Sequence, residues 1–160
     1  MAATTNKTER IKRKVEEMGV FFEQAGHSPM NGRVFAYLLL SEPPYRDFYE
    51  IQEFLGASKS AISNALNGLM DKGAVNYMTF SGDRRRYFKV NTEGWLNTTK
   101  EQVKQVTHLK KLIEAVLEER ADSKHLDFNE GLQEIIDFYT FLGAEMEQAL
   151  AKWEAQRASR

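Results

Sequence analysis

Between residues 47 and 91 the hydrophobic period switches from that of a helix to that of a strand, and from residue 93 it switches back. Asp47 stands as an N-cap with Glu50 three residues on, a capping-box spacing. Phe48, Ile51 and Leu55 follow as the inward stripe of a short helix, and Leu55-Gly56-Ala57-Ser58 reads as a tight turn. Ser58 then caps another helix that runs to about Lys72, where Gly73 stops it. Its apolar residues Ile62, Ala65, Leu66, Leu69 and Met70 fall on one face. Residues 74–80 and 86–90 are rich in β-branched and aromatic side chains, and Ser81-Gly82-Asp83 supplies a turn between them. Helix, tight turn, helix and β-hairpin, in that order, is the winged helix-turn-helix plan.

The flanks are helical. Ile11, Val15, Met18 and Phe22 mark a helix over about residues 5–25, closed by Gly26-His27. Ser28 with Pro29 at the first helical position opens a second helix. Its run Val34 to Leu40 is apolar nearly all round, which predicts the most buried helix, ended by Pro43-Pro44. From Glu93, Trp95, Val103, Val106, Ile113, Val116 and Leu117 mark a long helix to about Arg120, and residues 121–123 break it. A last helix, over about residues 124–154, carries Phe128, Leu132, Ile135, Tyr139, Leu142, Met146, Ala149 and Trp153 at alternating spacings of four and three. These residues are the expected dimerisation stripe, because a small N-terminal unit cannot cover two such long helices. The expected fold class is mainly α with a small β-hairpin wing. Three segments follow: an N-terminal scaffold or dimerisation helix (1–27), a winged helix-turn-helix (28–91) and a C-terminal dimerisation arm (92–160).

Charge is distributed unevenly. Residues 58–91 hold six Lys/Arg against two Asp/Glu, residues 92–160 nine against thirteen, and residues 1–57 seven against eight. A basic island in an acidic frame is the footprint of a localised nucleic-acid contact. The absence of cysteine excludes disulfides, thiolate metal sites and a cysteine nucleophile. No signal peptide is visible, and the longest apolar run, Val34 to Leu40, is too short to span a bilayer, so a cytoplasmic location is expected. His27, His108 and His125 have no metal-ligand spacing, and no catalytic or phosphate-loop motif occurs. Neither an enzyme, nor a metal, nor a cofactor is expected.

The outward face of the helix after Ser58 is Ser60, Ser63, Asn64 and Asn67, with Lys59 in the first turn and no acid before Asp71. A solvated helix face ordinarily mixes Glu with Lys. A Ser/Asn/Lys face suits a groove lined by phosphates, where Asn reads adenine bidentately and Ser and Lys reach phosphate or base. It has no pocket character. Arg84, Arg85 and Arg86 stand at the hairpin tip, and guanidinium is favoured in narrow minor grooves. Asp83 would be repelled by phosphate, so its expected part is to orient a neighbouring arginine. The expected partner is double-stranded DNA. A protein-binding winged helix without DNA contact is the rival, but such modules usually lose the basic wing and put acids or large apolar groups on this helix.

Residues 29–91 resemble MarR-type winged-helix regulators, most closely the GbsR-like branch. The resemblance rests on Gly32-Arg33-Val34, residues 38–44 (LLLSEPP), residues 51–63 (IQEFLGASKSAIS), Leu66, Leu69 and Gly82-Asp83-Arg84-Arg85. It implies a homodimer on a palindromic operator, controlling nearby transporter or stress genes, and the expected regulator is a homodimeric repressor. It also implies that the Arg of an Asp-x-Arg wing motif, here Asp83 and Arg85, enters the minor groove. Beyond residue 92 only the helical pattern matches. The branch suggests a small cationic osmolyte as effector, which aromatics such as Phe21, Phe22, Phe138, Tyr139 and Phe141 could cage, although packing is the plainer role for them.

Overall fold

A computed structural model describes the backbone of residues 2–159 and the side chains of residues 6–103 and 105–159. Nine elements follow one another: α1 (Ala2–Gln24), α2 (Pro29–Leu39), β1 (Arg46–Asp47), α3 (Phe48–Leu55), α4 (Lys59–Asp71), β2 (Val75–Met78), β3 (Tyr87–Val90), α5 (Thr92–Glu119) and α6 (Leu126–Ala158). They form two compact units, divided after Trp95.

The first unit is a winged helix. The cap residues act as their chemistry predicts. Ser28 Oγ accepts from Asn31 N–H with Pro29 next in the chain, and Ser58 Oγ accepts from Ala61 N–H. Asp47 and Glu50 close both halves of the capping box. Gly56 ends α3 at φ 59°, a left-handed turn in which Ala57 N–H reaches Gln52 C=O at 3.3 Å, and the chain re-enters a helix three residues later. As expected, α2 is the central helix, with Val34, Phe35, Ala36, Tyr37 and Leu38 all buried. Ile51 from α3 and Ile62, Ala65, Leu66 and Leu69 from α4 complete the core with Val75 and Phe88. Val15 is buried there too, flanked by half-buried Ile11, Met18 and Phe22. Burying side chains of this size contributes about 1.5–3 kcal/mol each.

The structure departs from the sequence reading at the edges. α2 stops at Leu39, short of the proline pair: Ser41 Oγ caps back onto Tyr37 C=O, and the Arg46 guanidinium collects the carbonyls of Glu42, Pro43 and Tyr45. The wing has a third strand, β1, too short to carry a period of its own. It pairs antiparallel with β3, giving the order β1-β3-β2. β2 and β3 are shorter than expected, because residues 79–86 are drawn into the wing loop. There Gly82 adopts φ 82° and Asp83 N–H bonds Phe80 C=O.

The second unit is a helical hairpin. Lys100 pairs with Glu154 and lies over Trp153. Thr107 faces Gly143. Arg120 bonds Asn129 and lies over Phe128. These contacts run antiparallel. α6 starts at Leu126 and continues to Ala158, two residues later and four residues further than its apolar pattern suggested. The line it covers against its own chain is Leu132, Ile136, Tyr139, Gly143, Met146 and Leu150, of which Ile136 and Gly143 are buried. The expected stripe shares Leu132, Tyr139 and Met146 with that line. Leu142 is half-buried, while Phe128, Ile135, Ala149 and Trp153 are exposed. The apolar arc of α6 is wider than one neighbouring helix covers, so one edge is buried within the chain and the other is left open.

Candidate nucleic-acid interface

Burying Ile62, Ala65, Leu66 and Leu69 fixes the rotation of α4 about its axis. That rotation turns Lys59, Ser60, Ser63, Asn64 and Asn67 outward, and all five are exposed. Among the described residues Lys59, Ser63, Asn64 and Asn67 make no side-chain hydrogen bond or ion pair, so their donors and acceptors are available to a ligand. Ser58 is engaged as the N-cap and shares a 3.1 Å hydrogen bond with Ser60 Oγ. Its place is therefore at the entry of the face, holding the first turn.

The wing stands beside this face, with a cleft of about 460 Å³ between them. Ser63, Asn67 and Arg84, Arg85 and Arg86 contribute to its walls, Leu66, Met70, Phe48 and Phe88 supply apolar lining, and Asp47 and Tyr49 complete it. The sequence reading gave this region no pocket character. The cleft exists because β1 and β3 lift the wing loop away from α4, which no local pattern encodes. Tyr49, 62% exposed on α3, is a candidate contact that sequence reasoning missed. Its only signal was an aromatic residue off the inward stripe.

The three wing arginines differ. Arg84 has no ion pair among the described residues. Arg86 stacks over the Tyr77 ring at 4.7 Å, an arrangement that leaves guanidinium N–H groups pointing outward. Arg85 donates through Nε and Nη2 to Asp83 and through Nη1 to Asp47. Asp83 also accepts from Arg85 N–H at 2.9 Å and from Tyr87 Oη at 2.7 Å. These bonds, those from Arg85 foremost, hold the Asp83 carboxyl well below the usual carboxylate range. The same contacts raise the Arg85 guanidinium, and the bond to Asp83 raises the Tyr87 phenol. The Asp83 carboxylate is thus bonded to the guanidinium of Arg85, two residues on.

Residues 93–156 match the family model described as MmpR5-like MarR family transcriptional regulator. The HTH-type transcriptional regulator MmpR5 of Mycobacterium tuberculosis (strain ATCC 25618 / H37Rv) is 25% identical over 139 residues, covering 87% of this chain and 84% of that protein. A crystal structure titled as that of a transcriptional regulator superposes with a TM-score of 0.70 at 25% identity, across 91% of this chain and 99% of the other. The chain is thus similar to MarR-family transcriptional regulators, by family model over its arm and by sequence and fold over most of its length.

This chain's likeness to the family model lies in the arm, the part in which the sequence offered only a helical pattern. Its relatives are regulators and not enzymes. No helix among the described residues is long and apolar enough to cross a membrane.

Proposed function

We propose that this protein is a MarR-family transcriptional regulator: a homodimeric, sequence-specific DNA-binding protein, acting as a repressor on a palindromic operator. The observation that carries the reading is the acid-free, exposed Lys59/Ser60/Ser63/Asn64/Asn67 face of α4, set across an arginine-rimmed cleft from the wing. In this reading Asn64 and Asn67 meet base edges in the major groove. Lys59, Ser60 and Ser63 meet phosphate or base, and the wing passes to the adjacent minor groove. A strand of the phosphate backbone then runs through the cleft between them.

Dimerisation is supported by the open apolar edge of the arm. Leu109, Leu112 and Val116 on α5 and Phe128, Ile135, Phe138 and Phe141 on α6 are all exposed within one chain. An isologous pair of such edges would bury them and set two reading heads on two half-sites. A cytoplasmic location accords with a DNA target. The GbsR-like affinity rests on the block from Ile51 to Ser63, and a small-molecule effector rests on the same resemblance. The arm's match lies instead with MmpR5-like regulators.

Fluorescence anisotropy against the duplex upstream of the protein's own gene, with a scrambled duplex as control, tests the reading. Selective binding by a species of about twice the 18.4 kDa chain mass is the expected result. Equal binding to both duplexes, or a monomer at micromolar concentration, contradicts it.

A further inference from the structure

Asn91 stands between β3 and α5, and it joins the two helix ends that meet there. Its Oδ1 accepts from Gly94 N–H at 3.1 Å, the N-cap bond of α5, and its C=O accepts from Trp95 N–H at 2.8 Å, the first helical bond. The other end of the same amide turns to α4: Nδ2 donates to Gly73 C=O at 3.0 Å. Gly73, at φ 67°, is the left-handed residue on which α4 ends, with its N–H on Met70 C=O and Ala74 N–H on Leu69 C=O. Asn91 N–H closes the joint on Ala74 C=O at 2.9 Å. A Cβ on Gly94 would collide with Gly73 C=O, so the first turn of α5 lies directly against the end of α4. One residue further, Trp95 sets its ring edge-to-face on Phe35 of the head's core at 5.2 Å.

The residue type matters. Asn, Asp and Ser cap a helix about equally well. A carboxylate only accepts, however, whereas an amide accepts at one end and donates at the other. Both ends of the Asn91 amide are in use, one on each helix. Asp at this position would keep the cap on α5 but turn an anion toward the carbonyl end of α4, where the helix dipole also disfavours it. The joint lies wholly within the first unit, whose boundary falls after Trp95, inside α5. From that first turn α5 runs on as one helix into the arm.

We propose that Asn91 is a positioning residue: it fastens α4 to the first turn of α5, and so fixes the direction in which α5 leaves the head and the half-site spacing that two heads accept. This role rests on the dimeric DNA-binding reading above. One base pair added or removed between half-sites turns one of them by about 35° and shifts it by about 3.4 Å relative to the other. A stiff joint resists that displacement, and a loosened one yields to it.

Fluorescence anisotropy compares Asn91→Asp with the parent protein on operator duplexes of native spacing and of one base pair more or less. The ratio of native to altered affinity should fall about tenfold in Asn91→Asp, the scale of one hydrogen bond lost in each of two subunits. Repulsion between the new carboxylate and phosphate weakens all the duplexes alike and cancels in the ratio. Asn91→Ala loses the cap as well, so it should melt lower and give the same reduced ratio. An unchanged ratio in Asn91→Asp, or a parent protein indifferent to spacing, overturns the proposal. A second measurement needs no DNA. The chain has no cysteine, so Asn64→Cys and Glu118→Cys, spin-labelled and diluted with unlabelled chain, report one distance from α4 to the far end of α5. Double electron–electron resonance should give a narrow distribution with Asn91 in place and a broadened one with Asn91→Asp. Equal widths overturn the joint. A parent protein that binds no duplex defeats the DNA-binding reading instead, and the spin-label distances still decide the joint.

Discussion

The reading head and the arm use similar shares of apolar residues to different ends. In the first unit Val15, Val34 to Leu38, Ile51, Ile62, Leu66 and Leu69 close into one core within a single chain. In the second, Ile136 and Gly143 are buried, while Phe138 and Phe141 stand 57% and 65% exposed. Helices alone do not account for the contrast, since both units are built from well-formed ones. What differs is geometry. The head packs three helices and a sheet around α2, whereas the arm sets one helix against another and leaves large apolar side chains on both exposed. One unit closes its core within the chain, and the other leaves an apolar edge exposed.

That contrast can be broken most forcefully in the head. Leu66→Ala removes a side chain that is 2% exposed and should cost about 2–5 kcal/mol of unfolding free energy by chemical denaturation. A loss under 1 kcal/mol would mean that the core is looser than its burial indicates. Gly94→Ala comes next. The added Cβ would collide with Gly73 C=O and with Asn91, which bonds both Gly73 C=O and Gly94 N–H. Overpacking against backbone costs about 1–3 kcal/mol, which a thermal melt will register.

Phe138→Ser should behave in the opposite way to a core truncation. Its ring is exposed in one chain, so the chain's own fold should hardly notice. The dimer should weaken instead, and Tm should depend more steeply on protein concentration. Unchanged mass by light scattering over a dilution series would place this edge outside the dimer seam.

The smallest expected effect is the pH response of the wing. The folded Asp83 carboxyl is depressed below its unfolded value, so its contribution is fully present above the ordinary carboxylate pKa of about 4 and is lost as pH falls through the depressed value. Wing-tip protection, corrected for intrinsic exchange, should therefore be flat from pH 8 to 5 and weaken only in stronger acid.

What the sequence made legible follows the same divide. Ser28, Asp47, Ser58 and Gly56 announced the head's helix ends because capping is decided within four residues, and α4's inward face followed from its period. The Asp47–Arg85 bond was invisible, since Asp47 already had a complete local reading as a cap and nothing links positions 38 apart. The cleft was missed for the same reason. In α6 the line buried within the chain is offset from the expected stripe: Ile135 and Ile136 are both apolar, and only the neighbouring helix decides which one is buried in the chain. The arm's likeness to the family model left no short motif, because paired helices tolerate many apolar sequences of the same pattern.

The central claim is that the acid-free face of α4 reads sequence, and Asn64→Ala tests it most directly. Asn64 is exposed, mid-helix and uncommitted among the described residues, so its loss leaves the fold intact. Anisotropy on operator and scrambled duplexes across a salt series should show about 1–3 kcal/mol lost on the operator, localised to one base pair of each half-site, with non-specific affinity and salt slope unchanged. Operator affinity equal to that of the parent protein, or an equal loss on both duplexes, would contradict the claim.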